Sequence, residues 1–462
     1  MTAPDETTAT LYRHTRTRRI SLPRVFGAGL VIAHKDEPCA PAWGAEFDIQ
    51  SAASEFDLDR RIARLRQTGR DVLISFGGAT NDELATLCTN IRSLTDAYAS
   101  VVEHYEVTTI DLDIEGKALL DTEANARRAA AIAAVQDDVQ SNGSDLAVWL
   151  TLPSSPSGLT SDGIAVVDAM LEAGVDLAGV NLMTMNFGLE RSGQSMIEAT
   201  EAALEAGITQ VLTSWKNAGL AITRGTARQL IGAAPMIGRN DIVTDVFTLD
   251  DAKALEELVQ HEGYGRVSYW SLNRDLPCSA NNAPIASTSN HCSHEEQEAL
   301  SYAKAFLPLV GRDGDATGYA FESKLVSLLE DDAERSPYPL WRAGTAFESN
   351  EKVVWHGYVY QAKWWTSDDN PEAPYENEWD SPWRLVGPVL PEDLRHPIIV
   401  PAGVVPAWDG EVVYEQGDEV WLDGSVYGAK WWTQRFQPNR VVNNDAETPW
   451  KELDPAAFVQ AS

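Results

Sequence analysis

The sequence is poor in positive charge and in long apolar stretches. Lys and Arg total 36 against 69 Asp and Glu, which gives a formal net charge of −33. A surface this acidic repels the phosphates of DNA and RNA and the anionic face of a membrane. No run of residues approaches the roughly 18 apolar positions of a transmembrane helix. We therefore expect no nucleic-acid partner and no membrane span, whereas an uncharged ligand remains compatible with this composition.

Cysteine is also scarce. The chain contains four, Cys39, Cys88, Cys278 and Cys292. An even number fits two disulfides in an oxidising compartment, and four cysteines allow three pairings, of which we favour Cys39–Cys88 and Cys278–Cys292. Histidines lie on either side of Cys292, but the spacing matches no zinc pattern, so we expect no metal. The cysteines predict an extracellular protein, although the sequence offers no convincing signal peptide.

The strongest pattern in the chain is an alternation of apolar and acidic residues from Thr109 to Gly116. In a strand, residues two apart share a face, so Asp111, Asp113 and Glu115 point to the same side. Three carboxylates on one face repel each other and are costly to bury, so one should keep its proton near neutral pH. Such a protonated acid is what general-acid catalysis requires. The alternative is a solvated edge strand whose acids face water.

Strands and helical segments alternate from about residue 24 to residue 310. This alternation predicts a parallel sheet covered by helices, and its extent suits a (β/α)₈ TIM barrel with the chemistry at the C-terminal strand ends. Only Thr8–Tyr12 offers a first strand, which would be degenerate. Besides the acidic strand, the predicted strands are Arg24–His34, Asp71–Gly78, Leu146–Leu152, Asp176–Phe187, Ala234–Gly238 and Arg266–Leu272.

The C-terminal part of the chain repeats itself, because Ala362–Thr366 recurs 67 residues later as Ala429–Thr433. Further aromatic and glycine positions keep the same offset, which indicates a duplicated small module. Each copy must build its core from Trp and Tyr on short strands, so we expect two all-β modules. Adjacent Trp residues on a strand face opposite sides, so we predict one buried ring and one exposed ring in each Trp-Trp pair. The candidate ligand-binding residues of the modules are Trp341, Tyr360, Trp364, Trp365, Trp408, Tyr427, Trp431 and Trp432.

Two motifs make the chain resemble glycoside hydrolase family 18, the chitinase family. Asp111, Asp113 and Glu115 match the last three acids of the family signature Asp-x-x-Asp-x-Asp-x-Glu, while Thr108 stands at its first position. The segment Ser75–Gly78 matches the Ser-x-Gly-Gly motif of the third barrel strand, with Ser75, Gly77 and Gly78 near the substrate.

The resemblance implies a retaining, substrate-assisted glycosidase that needs no cofactor. Glu115 would protonate the leaving oxygen and then activate water, Asp113 would orient the acetamido group, and Asp111 would bias the charge of Asp113. Trp270 resembles the tryptophan that forms the floor of the subsite in which the reacting sugar binds. The remaining candidate substrate-binding residues lie on the sixth strand and are Met183, Met185 and Asn186. Many family members carry Asp in place of Asn186, and a nearby Tyr is absent here.

The two C-terminal copies resemble the chitin-binding modules of carbohydrate-binding families 5 and 12. The whole chain therefore resembles a monomeric chitinase acting on chitin or N-acetylglucosamine oligosaccharides. The alternatives are a non-catalytic chitin-binding lectin or adhesin and an endo-N-acetylglucosaminidase acting on glycoprotein glycans. The predicted segments are a catalytic barrel over 1–310, an acidic linker over 311–336, a first module over 337–387, a Pro-rich linker over 388–406 and a second module over 407–454.

Overall fold

The computed structural model describes residues 25–80, 82–278, 288–309, 328–375, 378–394, 400–440, 448–453 and 457–458. The chain divides into two compact units. One comprises Met1–Ser327 with Pro371–Pro388, and the other comprises Leu328–Asn370 with Val389–Ser462. The expected first strand near Thr8–Tyr12 and most of the acidic linker lie outside the described residues. The segment boundaries drawn from the sequence therefore stay predictions.

A nine-stranded sheet forms the centre of the first unit, with neighbours in the order β11-β8-β7-β5-β4-β3-β1-β2 and with β6 beside β5. All neighbours from β1 to β11 on this path run parallel, and β2 and β6 pair antiparallel at β1 and β5. The strands of this unit are β1 Val25–Ala33, β2 Pro41–Trp43, β3 Asp71–Gly77, β4 Thr109–Asp113, β5 Ala147–Ser155, β6 Gly158–Leu159, β7 Leu177–Met183, β8 Ile231–Ala233, β9 Gly238–Arg239, β10 Val246–Phe247 and β11 Arg266–Val267.

Helices pack against this sheet because its strands carry many apolar residues that need to be buried. Every residue of β3 and of β7 is buried, as expected for parallel strands in the interior of an α/β fold. Ser195 and Thr248 form capping boxes at the starts of α8 and α10, which satisfy free backbone N–H groups. The helices are α1 Ile49–Phe56, α2 Leu58–Gln67, α3 Leu84–Leu87, α4 Ile91–His104, α5 Gly116–Leu120, α6 Thr122–Ser141, α7 Ser161–Glu172, α8 Met196–Asn217, α9 Arg224–Gln229, α10 Leu249–Glu262 and α11 Ser301–Ala305.

The first unit is thus a mixed α/β fold around a curled sheet, which confirms the α/β prediction. Over the described residues, β2 and β11 form the two edges of this sheet. Closure into an eight-stranded barrel stays a prediction. Among the described helices, none is both long enough and apolar enough to cross a membrane.

Short antiparallel strands recur at the sequence period of 67 residues. The hairpin of β13 and β14 has its counterpart in β18 and β19, and the pair β12–β15 has its counterpart in β17–β20. These strands are β12 Ala346–Phe347, β13 Lys352–Trp355, β14 Tyr358–Ala362, β15 Thr366–Ser367, β16 Trp383–Pro388 (a part of the first unit), β17 Val413–Tyr414, β18 Glu419–Leu422, β19 Ser425–Ala429, β20 Thr433–Gln434 and β21 Trp450–Glu452.

The prediction of one buried and one exposed ring in each Trp-Trp pair is wrong. Trp364 and Trp365 are 45% and 58% exposed, and Trp431 and Trp432 are 44% and 57% exposed. Each pair lies in the bend between two strands, after β14 or after β19, and not on a strand. The two-residue alternation of strand side chains therefore does not apply, and both rings reach the surface.

Other aromatic residues of the repeat are buried instead. Trp341 and Tyr360 are 9% and 6% exposed, while Trp408 and Tyr427 are half-buried and pack against the core of the second copy. Trp450 lies in that core against Tyr414, with ring centroids 5.2 Å apart. These four candidate residues therefore contribute more to packing than the Trp-Trp pairs do.

The predicted disulfides are confirmed as Cys39–Cys88 and Cys278–Cys292, with Cα–Cα distances of 4.7 and 5.0 Å. Cys278 and Cys292 also lie with His294 within a 4.8 Å cluster of possible metal ligands. Both sulfur atoms of this cluster are oxidised in the disulfide, so it offers no thiolate to a metal.

Candidate active site

Strand β4 carries the acidic residues to the C-terminal edge of the parallel sheet. Asp111 lies beside Ser75 of β3 and Trp149 of β5, and Asp113 ends the strand. Glu115 lies two residues after Asp113 and directly precedes α5, without using its side chain to cap that helix. The alternation in the sequence thus places three acids where open α/β sheets bind their ligands.

Asp111 is buried and accepts hydrogen bonds from side chains of three other strands, namely β3, β5 and β11. Ser75 Oγ donates to its Oδ2 at 2.9 Å, and Thr151 Oγ1 donates to its Oδ1 at 2.7 Å. Arg266 Nη1 donates to the same Oδ1 at 3.3 Å. Two hydroxyl groups and one guanidinium therefore fix the position of the Asp111 side chain.

Asp113 has the opposite environment. Its Oδ1 is buried and, among the described residues, has no hydrogen-bond partner. Burial raises the pKa of Asp113 well above its ordinary value of 3.8, and the charges of Glu115 and Asp111 raise it further. Asp113 therefore holds a proton where an exposed aspartate would have lost it.

Glu115 is half-buried at the rim of the site. Burial raises the pKa of its carboxyl above the ordinary value of 4.5, and the negative charge of Asp241 adds to the shift. A glutamate that keeps its proton toward neutral pH can act as a general acid. Asp241 was not among the residues predicted from the sequence. The sequence pattern that could have indicated it is the pair Asn240-Asp241, which follows the end of a strand.

Asn186 holds the loop that carries Asp241. Its backbone N–H donates to Asn240 Oδ1 at 3.0 Å, and its Nδ2 donates to Asp241 Oδ2 at 3.1 Å. Its Oδ1 accepts the N–H of Ile242 at 3.1 Å. The structure thus places Asn186 against the loop after β9, where its amide orients Asp241. Met183 is buried at the end of β7, and Met185 is half-buried.

The two glycines of the Ser-x-Gly-Gly segment permit close backbone contact with β4. Gly77 has a φ of 104°, and a Cβ on it would lie 2.1 Å from the carbonyl oxygen of Asp113. Gly78 has a φ of 97° and donates its N–H to that same oxygen at 2.8 Å. Only a residue without a side chain fits there, because an L side chain would be both strained and blocked.

Trp270 presents its ring at the C-terminal edge of the sheet and is 43% exposed. Its N–H donates to the carbonyl of Pro235, and its carbonyl accepts from Ile237, both at 2.9 Å. The backbone is fixed while the ring stays accessible, which suits a platform for the apolar face of a ligand.

Comparison with known proteins finds relatives of this chain, although no family model matches it. The chain is 33% identical over 291 residues to a probable bifunctional chitinase/lysozyme of Escherichia coli, covering 61% of this chain and 31% of that protein. It is 36% identical over 247 residues to endochitinase 11 of Metarhizium anisopliae, covering 52% of this chain and 45% of that protein. The chain thus spans less than half the length of these two curated relatives.

Solved structures share the fold of the first unit. The catalytic domain of a hyperthermophilic chitinase from Pyrococcus furiosus is 25% identical, with a TM-score of 0.53, and the match covers 64% of this chain and 88% of that one. A catalytic-site mutant of active domain 2 of the Pyrococcus furiosus chitinase, 24% identical, also has a TM-score of 0.53, over 65% and 89% of the two chains. The curled α/β sheet of the first unit is therefore similar in fold to the catalytic domains of these chitinases.

Proposed function

We propose that this chain is a glycoside hydrolase that cleaves the β-1,4 bonds between N-acetylglucosamine units of chitin. The observation that carries the proposal is the contrast between the hydrogen-bonded side chain of Asp111 and that of Asp113 beside Glu115. The buried Oδ1 of Asp113 has no hydrogen-bond partner among the described residues, and its pKa is raised by burial. The names of the two curated relatives, a probable bifunctional chitinase/lysozyme and an endochitinase, support the same substrate.

In the proposed reaction the substrate supplies its own nucleophile. Glu115 gives its proton to the glycosidic oxygen while the bond between that oxygen and the anomeric carbon breaks. The acetamido oxygen of the same sugar forms a new bond to the anomeric carbon, and Asp113 holds the acetamido N–H. Glu115, now a carboxylate, takes a proton from water, and the resulting hydroxide attacks the anomeric carbon while the bond between that carbon and the acetamido oxygen breaks. This step restores the acetamido group and retains the configuration.

The decisive test replaces the acid by its uncharged isostere. Glu115→Gln should lower hydrolysis of a chitin oligosaccharide with a fluorogenic leaving group by at least about 10²–10⁴-fold, the usual contribution of a general acid. Glu123→Gln is the matched control, because the Glu123 side chain is 90% exposed and lies on α6.

An inactive wild-type chain that still binds chitin would favour the non-catalytic lectin. Release of glycoprotein glycans without cleavage of chitin oligosaccharides would favour the endo-N-acetylglucosaminidase. Full activity in purified Glu115→Gln would show that Glu115 is not the general acid.

We also propose that the two Trp-Trp pairs bind chitin and anchor the enzyme to it. Lys363 Nζ lies 5.0 Å from the ring centroid of Trp364, and Lys430 Nζ lies 4.9 Å from that of Trp431, so both copies fix the first ring in the same way. The second rings, Trp365 and Trp432, are the more exposed of each pair. Flat exposed rings suit the apolar faces of sugars.

The anchoring proposal is tested in the full-length chain with Glu115→Gln, so that no chitin is consumed. Trp365→Ala with Trp432→Ala should weaken retention on chitin beads more than either change alone, because two linked sites gain avidity of about 10²–10⁴-fold. Leu220→Ala, an exposed apolar residue of the first unit at 48%, is the control. Unchanged retention in the double variant would refute the anchoring proposal.

Three further features belong to this proposal. An eight-stranded (β/α)₈ barrel would extend the sheet beyond its described strands, and the repeated strands would form two small all-β modules of carbohydrate-binding type. The two disulfides support the proposal that the protein acts outside the cytoplasm, because structural disulfides persist mainly in oxidising compartments.

A further inference from the structure

Arg274 is a buried cation in the segment that follows Trp270. It ends a 3₁₀ turn, Leu272–Arg274, which begins two residues after the tryptophan. Arg274 is 0% exposed, and burial lowers the pKa of its guanidinium to about 10. A buried charge is costly unless hydrogen bonds compensate it, so the contacts of this side chain need an explanation.

Arg274 donates hydrogen bonds to three backbone carbonyl groups. Its Nη2 donates to Ile237 at 3.0 Å and also to Arg239, and its Nη1 donates to Ser289. The donors of a guanidinium lie in one rigid plane, so they can fix several carbonyl groups relative to one another. Arg274 therefore ties β9 to the segment around Ser289.

The segment that contains β9 connects two parts of the candidate active site. At its start, the N–H of Ile237 donates to the carbonyl of Trp270 at 2.9 Å. Two positions after β9 it carries Asp241, whose negative charge acts on both Glu115 and Arg274. A shift of this segment would therefore move the aromatic platform and the charged loop relative to each other.

Residues 288–293 lie along the same segment. The hydroxyl of Thr288 donates to the carbonyl of Asn240 at 2.8 Å. A Cβ on Gly238 would lie 2.0 Å from the carbonyl oxygen of Ser293, so the two backbones meet where only glycine fits. The buried guanidinium thus donates to carbonyl groups on both sides of a close backbone contact.

Asp275 fixes the turn that carries Arg274. Its Oδ1 accepts the N–H of Tyr302 at 3.0 Å, and its Oδ2 accepts the N–H of Ala303 at 2.8 Å. Both N–H groups belong to the first turn of α11. Arg274 therefore holds β9 from a turn that is itself attached to a helix.

We propose that Arg274 is a positioning residue for the reacting sugar, because it holds the Trp270 platform and the loop that carries Asp241 in a fixed relative position. The inference rests on the proposed hydrolysis of chitin, in which the sugar lies on Trp270 while its glycosidic oxygen faces Glu115. The acetamido oxygen reaches the anomeric carbon in one geometry of the sugar, and a displacement of about 1 Å can cost about 10²-fold in rate. Arg274 touches no substrate and acts through the groups that it holds.

The test is a double-mutant cycle in the full-length chain, measured on a chitin oligosaccharide with a fluorogenic leaving group. Arg274→Lys should raise KM and lower kcat, with a loss of about tenfold or more in kcat/KM, since a compact ammonium cannot hold three carbonyl groups in one plane. In the Trp270→Ala background the same change should cost less than about threefold, because the ring through which Arg274 acts is already absent.

Arg66→Lys is the matched control. Arg66 is also a buried arginine, at 8% exposure, and it donates to the carbonyl of Tyr105 at 2.7 Å. It pairs with Asp71 at the start of β3, whereas Ser75 lies toward the other end of that strand. Arg66→Lys should lower the melting temperature and leave KM and kcat of the folded enzyme unchanged. Equal kinetic losses in this control, or additive losses in the cycle, would overturn the inference.

Arg274→Gln is a second variant, because its amide keeps two N–H donors without the charge. It should show the same rise in KM and the same dependence on Trp270. If both Arg274 variants fold with the KM and kcat of the wild type, or if neither variant folds, Arg274 serves only the fold and the inference is wrong.

A further measurement does not depend on activity. The N–H groups of Ile237 and Trp270 are hydrogen-bonded in the wild type, and both should exchange with deuterium faster in Arg274→Lys, while those of β4 exchange as before. Unchanged exchange at both positions would overturn the role of Arg274. An inactive wild type with the expected difference in exchange would instead overturn the proposed reaction and leave the positioning role supported.

Discussion

At the scale of single residues, Asp241 has two roles. It makes a hydrogen bond between two loops, and its negative charge acts on Glu115. Its Oδ2 accepts from Asn186 Nδ2 at 3.1 Å, and its charge raises the pKa of Glu115. Asn186 can orient this carboxylate without adding a charge, because an amide does not ionise. The residue at position 186 thus sets how much negative charge Glu115 experiences.

Asp241→Asn should therefore lower the alkaline limit of activity. Removing the negative charge lowers the pKa of Glu115, so the acid loses its proton at lower pH and the alkaline limb of kcat/KM moves down. Asn186→Asp adds negative charge and should move the same limb up. Profiles from about pH 4 to 9 on a chitin oligosaccharide measure both shifts, since kcat/KM reports free-enzyme ionisations.

The control for this prediction is Asp250→Asn, because the Asp250 side chain is 91% exposed on α10. An alkaline limb that stays fixed in Asp241→Asn, or that moves up, would contradict the influence of Asp241 on Glu115.

Residues of the site differ in how far the sequence could predict them. Asp111, Asp113 and Glu115 were predictable because one strand carries all three and its alternation is local. Arg266 was not, since its contact with Asp111 joins positions 155 residues apart. Asp241 and Asn186 meet across 55 residues, between two loops whose path no periodicity describes.

At the scale of secondary-structure elements, the contact between β3 and β4 depends on Gly77. The carbonyl oxygen of Asp113 occupies the space that a Cβ on Gly77 would need, at 2.1 Å. The same oxygen accepts the N–H of Gly78. The end of the acidic strand is therefore positioned by the backbone of its neighbour.

Gly77→Ala should displace the end of β4 and lower kcat by at least about tenfold, because small errors in the position of catalytic groups are costly. Thermal unfolding and kcat are the measurements. Gly143→Ala is the matched control, since Gly143 also has a positive φ, of 81°, but nothing lies within 4 Å of its Cβ position. Equal losses in both variants would show that backbone strain alone, and not the contact with β4, explains the effect.

Strands were easier to predict where they are long and buried. Predicted Asp71–Gly78 corresponds to β3, Asp71–Gly77, within one residue. Predicted Ala234–Gly238 was wrong, because β8 is Ile231–Ala233 and Met236 contacts Trp270 only through an isolated bridge. A strand of three residues carries too little pattern to locate its ends.

At the scale of the whole molecule, the two disulfides close loops of different length. Cys39–Cys88 spans 49 residues, including β3, whereas Cys278–Cys292 spans 14. A cross-link restricts the unfolded chain more when the loop that it closes is longer. The longer loop should therefore contribute more to stability.

Replacing Cys39 and Cys88 by Ser should lower the free energy of unfolding by ~4 kcal/mol, and replacing Cys278 and Cys292 by ~3 kcal/mol. Urea unfolding of both double variants, followed by circular dichroism, measures the difference. A larger loss from the shorter loop would contradict the chain-entropy explanation and indicate contacts specific to that segment.

The tryptophans of the C-terminal strands and bends fall into two groups, buried and exposed, which should differ in their fluorescence. Trp383 and Trp450 are 3% and 2% exposed, so their emission should be blue-shifted and shielded from acrylamide. Trp365 and Trp432 are more than half exposed and should emit at longer wavelength and be readily quenched. A sugar polymer bound to the outer rings would lower the quenchable fraction and leave the emission of the buried rings unchanged, so the chain carries its own unlabelled fluorescence reporter of surface attachment.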